Sequence, residues 1–280
     1  MTDFSWIDEK LTIDGALAER ILSNFVRNEI QRHGFEKAVV GLSGGIDSSV
    51  SCFLAAAGLG PENVLAVRMP YRTSSEASME DAAEVIEQLG VHELTVDITD
   101  MVDPLFEKFP DMDNVRRGNV MARERMIILY DQSVAFEGLV LGTGNKTELL
   151  LGYSTLYGDS ASALNPNGDL YKTQLRQLAR HLGVPEKIIE KPPSADLWAG
   201  QTDEGELGFT YKRVDRLLYL MVDERYSLEE CVEAGFEAAF VNQVADRVKR
   251  MQFKRVMPLI AKISDRTIGY DFLYPRDWGT

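Results

Sequence analysis

Apolar residues in the first half of the chain follow two alternating patterns, one with helical spacing and one of short continuous runs. Leu17, Ile21, Phe25 and Ile30 recur at helical spacing and predict an amphipathic helix over residues 13–33. Short apolar runs bounded by polar residues or glycines predict buried strands. Such runs occur at residues 38–42, 63–69, 93–98 and 138–144.

Helical segments separate these runs. A helix is predicted over residues 47–57, and a second one is predicted to begin with a capping box of Thr73 and Glu76 and to end at Leu89. A long helix is predicted over residues 114–136, and a short helix is predicted over residues 172–182. Strands that alternate with helices indicate an α/β protein with a doubly wound parallel sheet, whose ligands bind at the carboxyl ends of the strands.

The last part of the chain has a different pattern. From about residue 205 we expect a mostly helical extension, which ends in an irregular tail at residues 274–280. Because neither an internal repeat nor an interdomain linker is evident, residues 1–280 are predicted to form a single domain.

The most informative polar segment, residues 43–49, reads Ser-Gly-Gly-Ile-Asp-Ser-Ser and lies between the first strand and its following helix. Glycines let the backbone approach a ligand closely, and the N-terminus of a helix suits an anion. Asp47 would repel a phosphate unless a cation lies between them, which implies Mg²⁺. The segment lacks the Gly-Lys-Ser/Thr ending of a P-loop and resembles the pyrophosphate loop of the ATP pyrophosphatases.

Other polar residues are hard to explain by packing. Arg123 and Arg125 lie in the middle of the long predicted helix, where two solvated arginines are an equally good interpretation. Glu148 follows the fourth strand and is also typical of a helix start. Lys172 begins a predicted helix, where the helix dipole disfavours a cation.

Composition narrows the possible partners. The formal net charge of −14 disfavours sequence-independent nucleic-acid binding. Apolar runs stay below the roughly 20 residues that a membrane span needs, and the N-terminus lacks a secretory pattern. The three histidines are scattered, and Cys52 and Cys231 are far apart in sequence, so the sequence contains no metal-ligand spacing and no disulfide framework. We therefore expect a cytoplasmic protein without nucleic-acid or membrane partners.

Seven segments identify a family by their order. They are SGGIDSS, GNVMARERM, GTGNKTE, YGD, LYKTQ, LGVP and KPPSADL. In this order they resemble the ammonia-dependent NAD synthetases, which are N-type ATP pyrophosphatases, and the similarity runs from the first helix to about Pro258. It implies a Rossmann-like sheet of the adenine nucleotide alpha-hydrolase type. It also implies a homodimer, in which we expect helices 13–33 and 114–136 at the interface.

The resemblance implies a two-step amidation. The carboxylate of nicotinic acid adenine dinucleotide (deamido-NAD) attacks ATP, pyrophosphate leaves, and ammonia displaces AMP from the acyl-adenylate to give NAD⁺. ATP is the co-substrate and Mg²⁺ the implied cofactor. Since too few residues precede the pyrophosphate loop for a glutaminase domain, the expected nitrogen source is free ammonia or ammonia from a separate subunit.

The family pattern also assigns site residues. Asp47, Asp159 and Lys172 are the expected catalytic residues, and Asp47 and Glu148 are the expected metal ligands. The expected ATP-binding positions are Gly41, Leu42, Ser43, Gly44, Gly45, Ile46, Asp47, Ser48, Thr143, Lys172 and Ser194. The expected substrate-binding positions are Arg123, Asp159, Phe253 and Lys254.

Three positions depart from the best-known members of the family. Leu156, Ala163 and Phe253 stand where those members have Lys, Asp and His, and all three positions belong to the dinucleotide side of the site. One explanation is a subgroup that binds the same substrate with other residues. An alternative is another ATP pyrophosphatase, which adenylylates a different carboxylate or serves tRNA or sulfur transfer. A nucleotide-binding module without catalysis is the other alternative.

Overall fold

The computed structural model describes residues 3–194, 198 and 201–273, so the tail expected at residues 274–280 lies outside the described residues. Within them, one parallel sheet contains four strands in the order β3-β2-β1-β4. The strands are β1 Lys37–Gly41, β2 Val64–Arg68, β3 His92–Thr95 and β4 Gly138–Leu141. A parallel bridge from Leu141 to Leu164 extends the β4 edge. The predicted α/β architecture with a parallel sheet is thereby confirmed.

Helices surround the sheet. They are α1 Ser5–Lys10, α2 Gly15–Arg32, α3 Ile46–Leu59, α4 Glu76–Leu89, α5 Thr99–Lys108, α6 Asn114–Phe136, α7 Lys146–Leu151, α8 Lys172–Leu182, α9 Glu186–Glu190, α10 Asp203–Leu207, α11 Tyr211–Leu218, α12 Leu228–Glu233 and α13 Ala238–Arg250. Short turns of other helix types lie at Pro61–Asn63, Tyr219–Asp223 and Gln252–Arg255. Among the described residues, no helix is long and apolar enough to cross a membrane.

The central strands are continuous apolar runs because both faces of the sheet are covered. Successive side chains of a strand point to opposite faces. Accordingly, Ala38 and Val40 of β1 join the core that α2, α3 and α8 complete. Val39, between them, joins a second core with side chains of α5 and α6.

A separate core holds the C-terminal helices together. Leu217 and Leu218 of α11, Cys231 of α12 and Phe240 of α13 are buried in one cluster. Leu151 at the end of α7 belongs to the same cluster and connects it to the sheet. Beyond Arg255, residues 256–273 contain no helix or strand, so the helical extension ends earlier than the sequence predicted.

Several element boundaries differ from the predictions. The N-cap of α4 is Ser75, which accepts a hydrogen bond from the Ser78 N–H, so the predicted capping box at Thr73 was wrong. Helix α3 passes through Gly58 and ends at Leu59, two residues later than predicted. Helix α5 was not predicted, because it begins without a side-chain cap and carries Pro104, both of which weaken a helix signal.

Asp215 joins the C-terminal helices to the elements that carry the candidate site. This fully buried carboxylate of α11 accepts hydrogen bonds from the Thr147 hydroxyl (2.6 Å) and from the Thr173 backbone N–H (2.8 Å). The Thr147 Oγ1 in turn accepts a hydrogen bond from the Lys172 N–H at 3.0 Å. Burial raises the pKa of Asp215 to about 6. The network fixes α7 relative to the first turn of α8.

We expect Asp215→Ala to lower the free energy of unfolding by about 3 kcal/mol, because it leaves a buried hydroxyl and a buried N–H without their acceptor. The measurement is urea unfolding followed by circular dichroism. Asp246→Ala, at an exposed position of α13, is the control and should cost less than about 0.5 kcal/mol. Equal stability of the two variants would contradict the role given to Asp215.

Candidate active site

A cavity of about 710 Å³ opens at the carboxyl ends of the strands. The ends of β1 and β4 both contribute to its wall, as expected for the edge at which parallel sheets bind ligands. The residues expected from the sequence that line it are Gly41, Leu42, Ser43, Gly45, Ile46, Asp47, Ser48, Thr143, Glu148, Asp159, Lys172, Ser194 and Lys254. Residues that the sequence presents as scattered motifs thus surround one space.

The loop after β1 is closed tightly onto α4. Gly44 adopts a φ of +77°, and a Cβ there would lie 2.1 Å from the Ser78 carbonyl oxygen. The Ser48 hydroxyl accepts from the Ser43 N–H (3.2 Å) and donates to the Gly45 carbonyl (3.0 Å), which holds the loop in a compact turn. Gly45 is the N-cap of α3 and has no side chain to cover the first N–H groups of the helix. The arrangement suits an anion.

Asp47, Asn145, Glu148 and Lys172 form a closed ring of hydrogen bonds at the floor of the cavity. The Lys172 ammonium donates to Asp47 Oδ2 (2.5 Å) and to Glu148 Oε1 (3.2 Å). On the opposite side, Asn145 Nδ2 donates to Asp47 Oδ1 (2.7 Å) and the Asn145 backbone N–H donates to Glu148 Oε2 (3.3 Å). Each of the four carboxylate oxygens therefore has a donor within this ring.

The ring holds two carboxyl groups and one ammonium. Burial, and then the nearby carboxylate of Asp47, raise the pKa of Glu148 to about 8, which favours the neutral form of this carboxyl group when no further cation is bound. Burial disfavours the charge on Lys172, but the attraction of Asp47 and Glu148 outweighs it and raises the pKa of the ammonium. An additional cation beside the two carboxyl groups would favour the ionised form of Glu148.

The donor set of the ring fits Mg²⁺. Among the described residues, no group of three or more His, Cys, Asp or Glu side chains is arranged to hold a metal ion. Mg²⁺ does not need such a group, since it usually binds through one or two carboxylates together with waters and substrate phosphates. Asp47 and Glu148, joined by one ammonium and facing the cavity, are such a pair.

Asn167 joins the start of α3 to the segment that follows β4. It is fully buried, and its Nδ2 donates to the carbonyls of Asp47 (3.0 Å) and Thr143 (3.3 Å) and to the Ser51 hydroxyl (2.9 Å). Thr143, which the sequence assigned to ATP, thus lies beside the start of α3 and the glycine-rich loop that precedes it. Ser194 also lines the cavity, while the rest of its motif, residues 195–197, lies outside the described residues.

Asp159 and Lys254 lie on the other side of the cavity. Lys254 Nζ donates to the carbonyls of Gly152 (2.8 Å) and Ser154 (2.5 Å), and Asp159 Oδ1 accepts from the Thr155 N–H (2.7 Å). Burial within the concave site raises the pKa of Asp159 and lowers the pKa of Lys254. The structure therefore places these two sequence-predicted residues together.

Arg123 and Phe253 do not line this cavity among the described residues. Arg123 is exposed and donates to the Leu156 carbonyl at 3.2 Å, and the Phe253 side chain is 55% exposed. Arg125 lines the cavity instead, because residues two apart on a helix point in nearly opposite directions. The substrate roles of Arg123 and Phe253 stay predictions.

A polar group that was not predicted from the sequence lies beneath Lys172. Asp203 is buried and accepts hydrogen bonds from the Tyr211 (3.0 Å) and Tyr153 (3.2 Å) hydroxyls. The Lys172 ammonium lies 5.0 Å from the centre of the Tyr211 ring, a cation–π distance. Burial raises the pKa of Asp203. Asp203 and Tyr211, which form one of these hydrogen bonds, are eight residues apart and lie in different helices. No sequence pattern predicts a hydrogen bond at this spacing.

Comparisons with known proteins agree with this geometry. The family model described as NAD synthase matches residues 18–258. A relative from Trichlorobacter lovleyi, described as an NH₃-dependent NAD⁺ synthetase, is 60% identical over 270 residues, which are 96% of this chain and 99% of the relative. A relative from Fusobacterium nucleatum with the same description is 50% identical over 242 residues, which are 86% of this chain and 94% of the relative.

Solved structures share the fold over most of the chain. An NH₃-dependent NAD synthetase from Campylobacter jejuni has a TM-score of 0.77 at 31% identity and covers 90% of this chain and 100% of its own. An NMN synthetase from Francisella tularensis has a TM-score of 0.79 at 31% identity and covers 89% of this chain and 99% of its own.

We expect Gly44→Ala to weaken ATP binding at least about tenfold, because the new Cβ would collide with the Ser78 carbonyl and push the loop away from α4. Gly90→Ala is the matched control. Gly90 also has a positive φ, of +67°, but no heavy atom lies within 4 Å of the added Cβ. Both variants should lose about 1–2 kcal/mol of stability from backbone strain. Calorimetric titration with ATP should separate them, and equal affinities would argue against the loop as the ATP site.

Proposed function

Because the chain belongs to the NAD synthase family, we propose that this cavity is the site of an ATP-dependent amidation. The chain catalyses the conversion of deamido-NAD to NAD⁺ with ATP and ammonia. One observation supports this site above all. Residues of loop 43–48 line the same cavity as Thr143, Glu148 and Lys172. ATP binds at this side, and the dinucleotide binds toward Asp159 and Lys254.

The reaction consists of two displacements. A carboxylate oxygen of deamido-NAD attacks the α-phosphorus of ATP, and the bond from that phosphorus to the bridging oxygen breaks as pyrophosphate leaves. Ammonia then attacks the acyl carbon of the adenylate, loses a proton and displaces AMP. Neither step needs a covalent bond to the protein, so positioning and charge stabilisation account for the catalysis.

The loop and the first turn of α3 hold the pyrophosphate in this proposal. The Ser43 hydroxyl, 3.1 Å from the Ser48 hydroxyl that orients it, and the N–H groups at the start of α3 lie at the cavity edge. These donors stabilise the charge that grows on the leaving group as the bond at the α-phosphorus breaks. Gly44 and Gly45 leave room for the phosphates.

Lys172 is the cation proposed to contact the phosphates. Its ammonium is held by Asp47 and Glu148, so it remains protonated and faces the place where pyrophosphate charge develops. Asp47 and Glu148 would hold Mg²⁺, which when bound supplies further positive charge to the phosphates. The carboxylates therefore serve both cations.

Asp159 is the residue proposed for the ammonia step. It lies opposite the ATP side of the same cavity and beside Lys254, and burial raises its pKa. A carboxylate in this position attracts ammonium and accepts the proton that the attacking nitrogen loses. Lys254, which lies beside Asp159, is the cation proposed to contact the dinucleotide.

We further propose that the protein is a homodimer. Helix α2 exposes Leu17, Ile21 and Phe25 along one stripe, and α6 exposes Ile127 and Val134, of which Val134 is 80% exposed. Exposed apolar side chains on each of these helices suit burial against a second copy. Such an interface would also bring Arg123 of α6 close to a partner chain.

The reaction is proposed to take place in the cytoplasm. Cys52 and Cys231 are both buried free thiols, which agrees with a reducing compartment.

We expect the protein to release pyrophosphate from ATP only when deamido-NAD and Mg²⁺ are present, and to form NAD⁺ and AMP in equal amounts once ammonium is added. The measurement is a coupled pyrophosphate assay with chromatography of the nucleotides. Lys172→Met should lower kcat about 100-fold or more, because it removes a cation from the phosphate site, whereas exposed Lys10→Met should not change it.

Nicotinic acid mononucleotide is the comparison acceptor in this assay. Faster turnover of the mononucleotide would contradict deamido-NAD as the substrate, and pyrophosphate release without any acceptor would contradict the amidation itself.

We expect Ile21→Lys and Val134→Lys to convert a dimer to monomers, because each places a charge in the proposed apolar interface. Light scattering after gel filtration measures the mass. Val232→Lys, at an exposed apolar position on α12, is the control and should stay dimeric. A monomeric unmodified protein, or an unchanged mass in both interface variants, would refute the proposed dimer.

A further inference from the structure

Asn145 contacts both carboxylates that the proposed function assigns to the metal. Its side chain is fully buried at the N-cap of α7. Nδ2 donates to Asp47 Oδ1 at 2.7 Å, Oδ1 accepts from the Glu148 N–H at 3.0 Å, and the Asn145 N–H donates to Glu148 Oε2 at 3.3 Å. Asn145, which is neither charged nor a proposed metal ligand, thus connects Asp47 with Glu148.

Chemistry fixes the orientation of the Asn145 amide. Turning it over would place an oxygen against the Asp47 carboxylate and an NH₂ group against the Glu148 N–H, and both contacts would be repulsive. In the orientation observed, both polar atoms of the side chain have a complementary partner.

The capping role alone does not explain an asparagine. Ser, Thr and Asp cap helices about as well as Asn. Asn also carries an amide NH₂, which here reaches a carboxylate on α3, 98 residues away in sequence. This second contact binds the start of α7 to the start of α3.

Lys172 is not an anchor for the two carboxylates alone. In the proposed function, which this inference rests on, its three N–H donors are shared between the phosphates of ATP and the carboxylates of Asp47 and Glu148. The contacts from Asn145 remain, because its amide and backbone N–H lie on the opposite side of the ring. They keep one oxygen of each carboxylate in place while the other turns to a cation.

We propose that Asn145 is a positioning residue that holds Asp47 and Glu148 at the separation a divalent cation requires. It acts through the two carboxylates and does not touch the cation. Partners of metal-binding carboxylates typically change metal affinity or activity by 10–100-fold when they are replaced.

The test is Asn145→Ser, which keeps a good N-cap but is too short to reach Asp47. ATP affinity is measured by calorimetry, without an acceptor substrate, once with Mg²⁺ and once with EDTA. We expect the affinity in EDTA to change less than about twofold, and the gain in affinity that Mg²⁺ produces to fall about tenfold or more.

Asn165→Ser is the matched control. Asn165 donates to the Gly144 carbonyl at 2.8 Å, so its replacement removes an amide hydrogen bond from the same region without touching Asp47 or Glu148. Asn145→Thr, which also keeps the cap and fills more of the space, replaces Asn145→Ser if that variant proves unfolded by circular dichroism. The control should retain the full gain from Mg²⁺.

The outcomes separate this inference from the function beneath it. If the unmodified protein gains no ATP affinity from Mg²⁺, the proposed metal site fails. If the unmodified protein shows that gain and the folded Asn145 variant keeps it, only the positioning role fails. Equal losses with Mg²⁺ and with EDTA, or the same loss in Asn165→Ser, would reduce Asn145 to a structural residue and overturn the proposal.

Discussion

The ion cluster of a buried Lys172 with the partly buried Asp47 and Glu148 is the interaction on which the site depends. Its members come from α3, α7 and α8, so three helices must meet at one point before any of the charges has a partner. Removing one partner of a buried pair leaves an uncompensated charge, which is strongly destabilising. The cluster therefore constrains the fold as much as it serves the chemistry.

Hydrogen bonds from groups outside this cluster hold it in place. Asn167 joins the Asp47 carbonyl of α3 to the Thr143 carbonyl after β4, and Asn145 joins the two carboxylates. The Asp215 carboxylate and the Thr147 hydroxyl fix the backbone at Lys172. In the proposed function, these contacts would let the charged groups change partners without moving the helices.

The two sides of the cavity are built differently. The side proposed for ATP consists of strand ends and helix starts, whose positions follow directly from the parallel sheet. The side proposed for the dinucleotide depends on loop residues and on the segment after α13, and within one chain Arg123 and Phe253 stay outside it. Leu156 and Ala163, which with Phe253 depart from the best-known members of the family, also do not line the cavity among the described residues.

The parallel sheet, most of its helices and the glycine-rich loop after β1 could be predicted from the chain, because apolar periodicity and the Ser-Gly-Gly-x-Asp-Ser pattern are local signals. Glu148 and Lys172 were named through a family resemblance that rests on the order of motifs. The support that Asn145, Asn167, Asp203 and Asp215 give to the site is visible in the folded structure alone. Their partners lie up to 120 residues away in sequence, and a hydrogen bond over such a distance leaves no pattern in the neighbouring residues. For the same reason, only the structure could show that Arg125, and not Arg123, faces the cavity of a single chain.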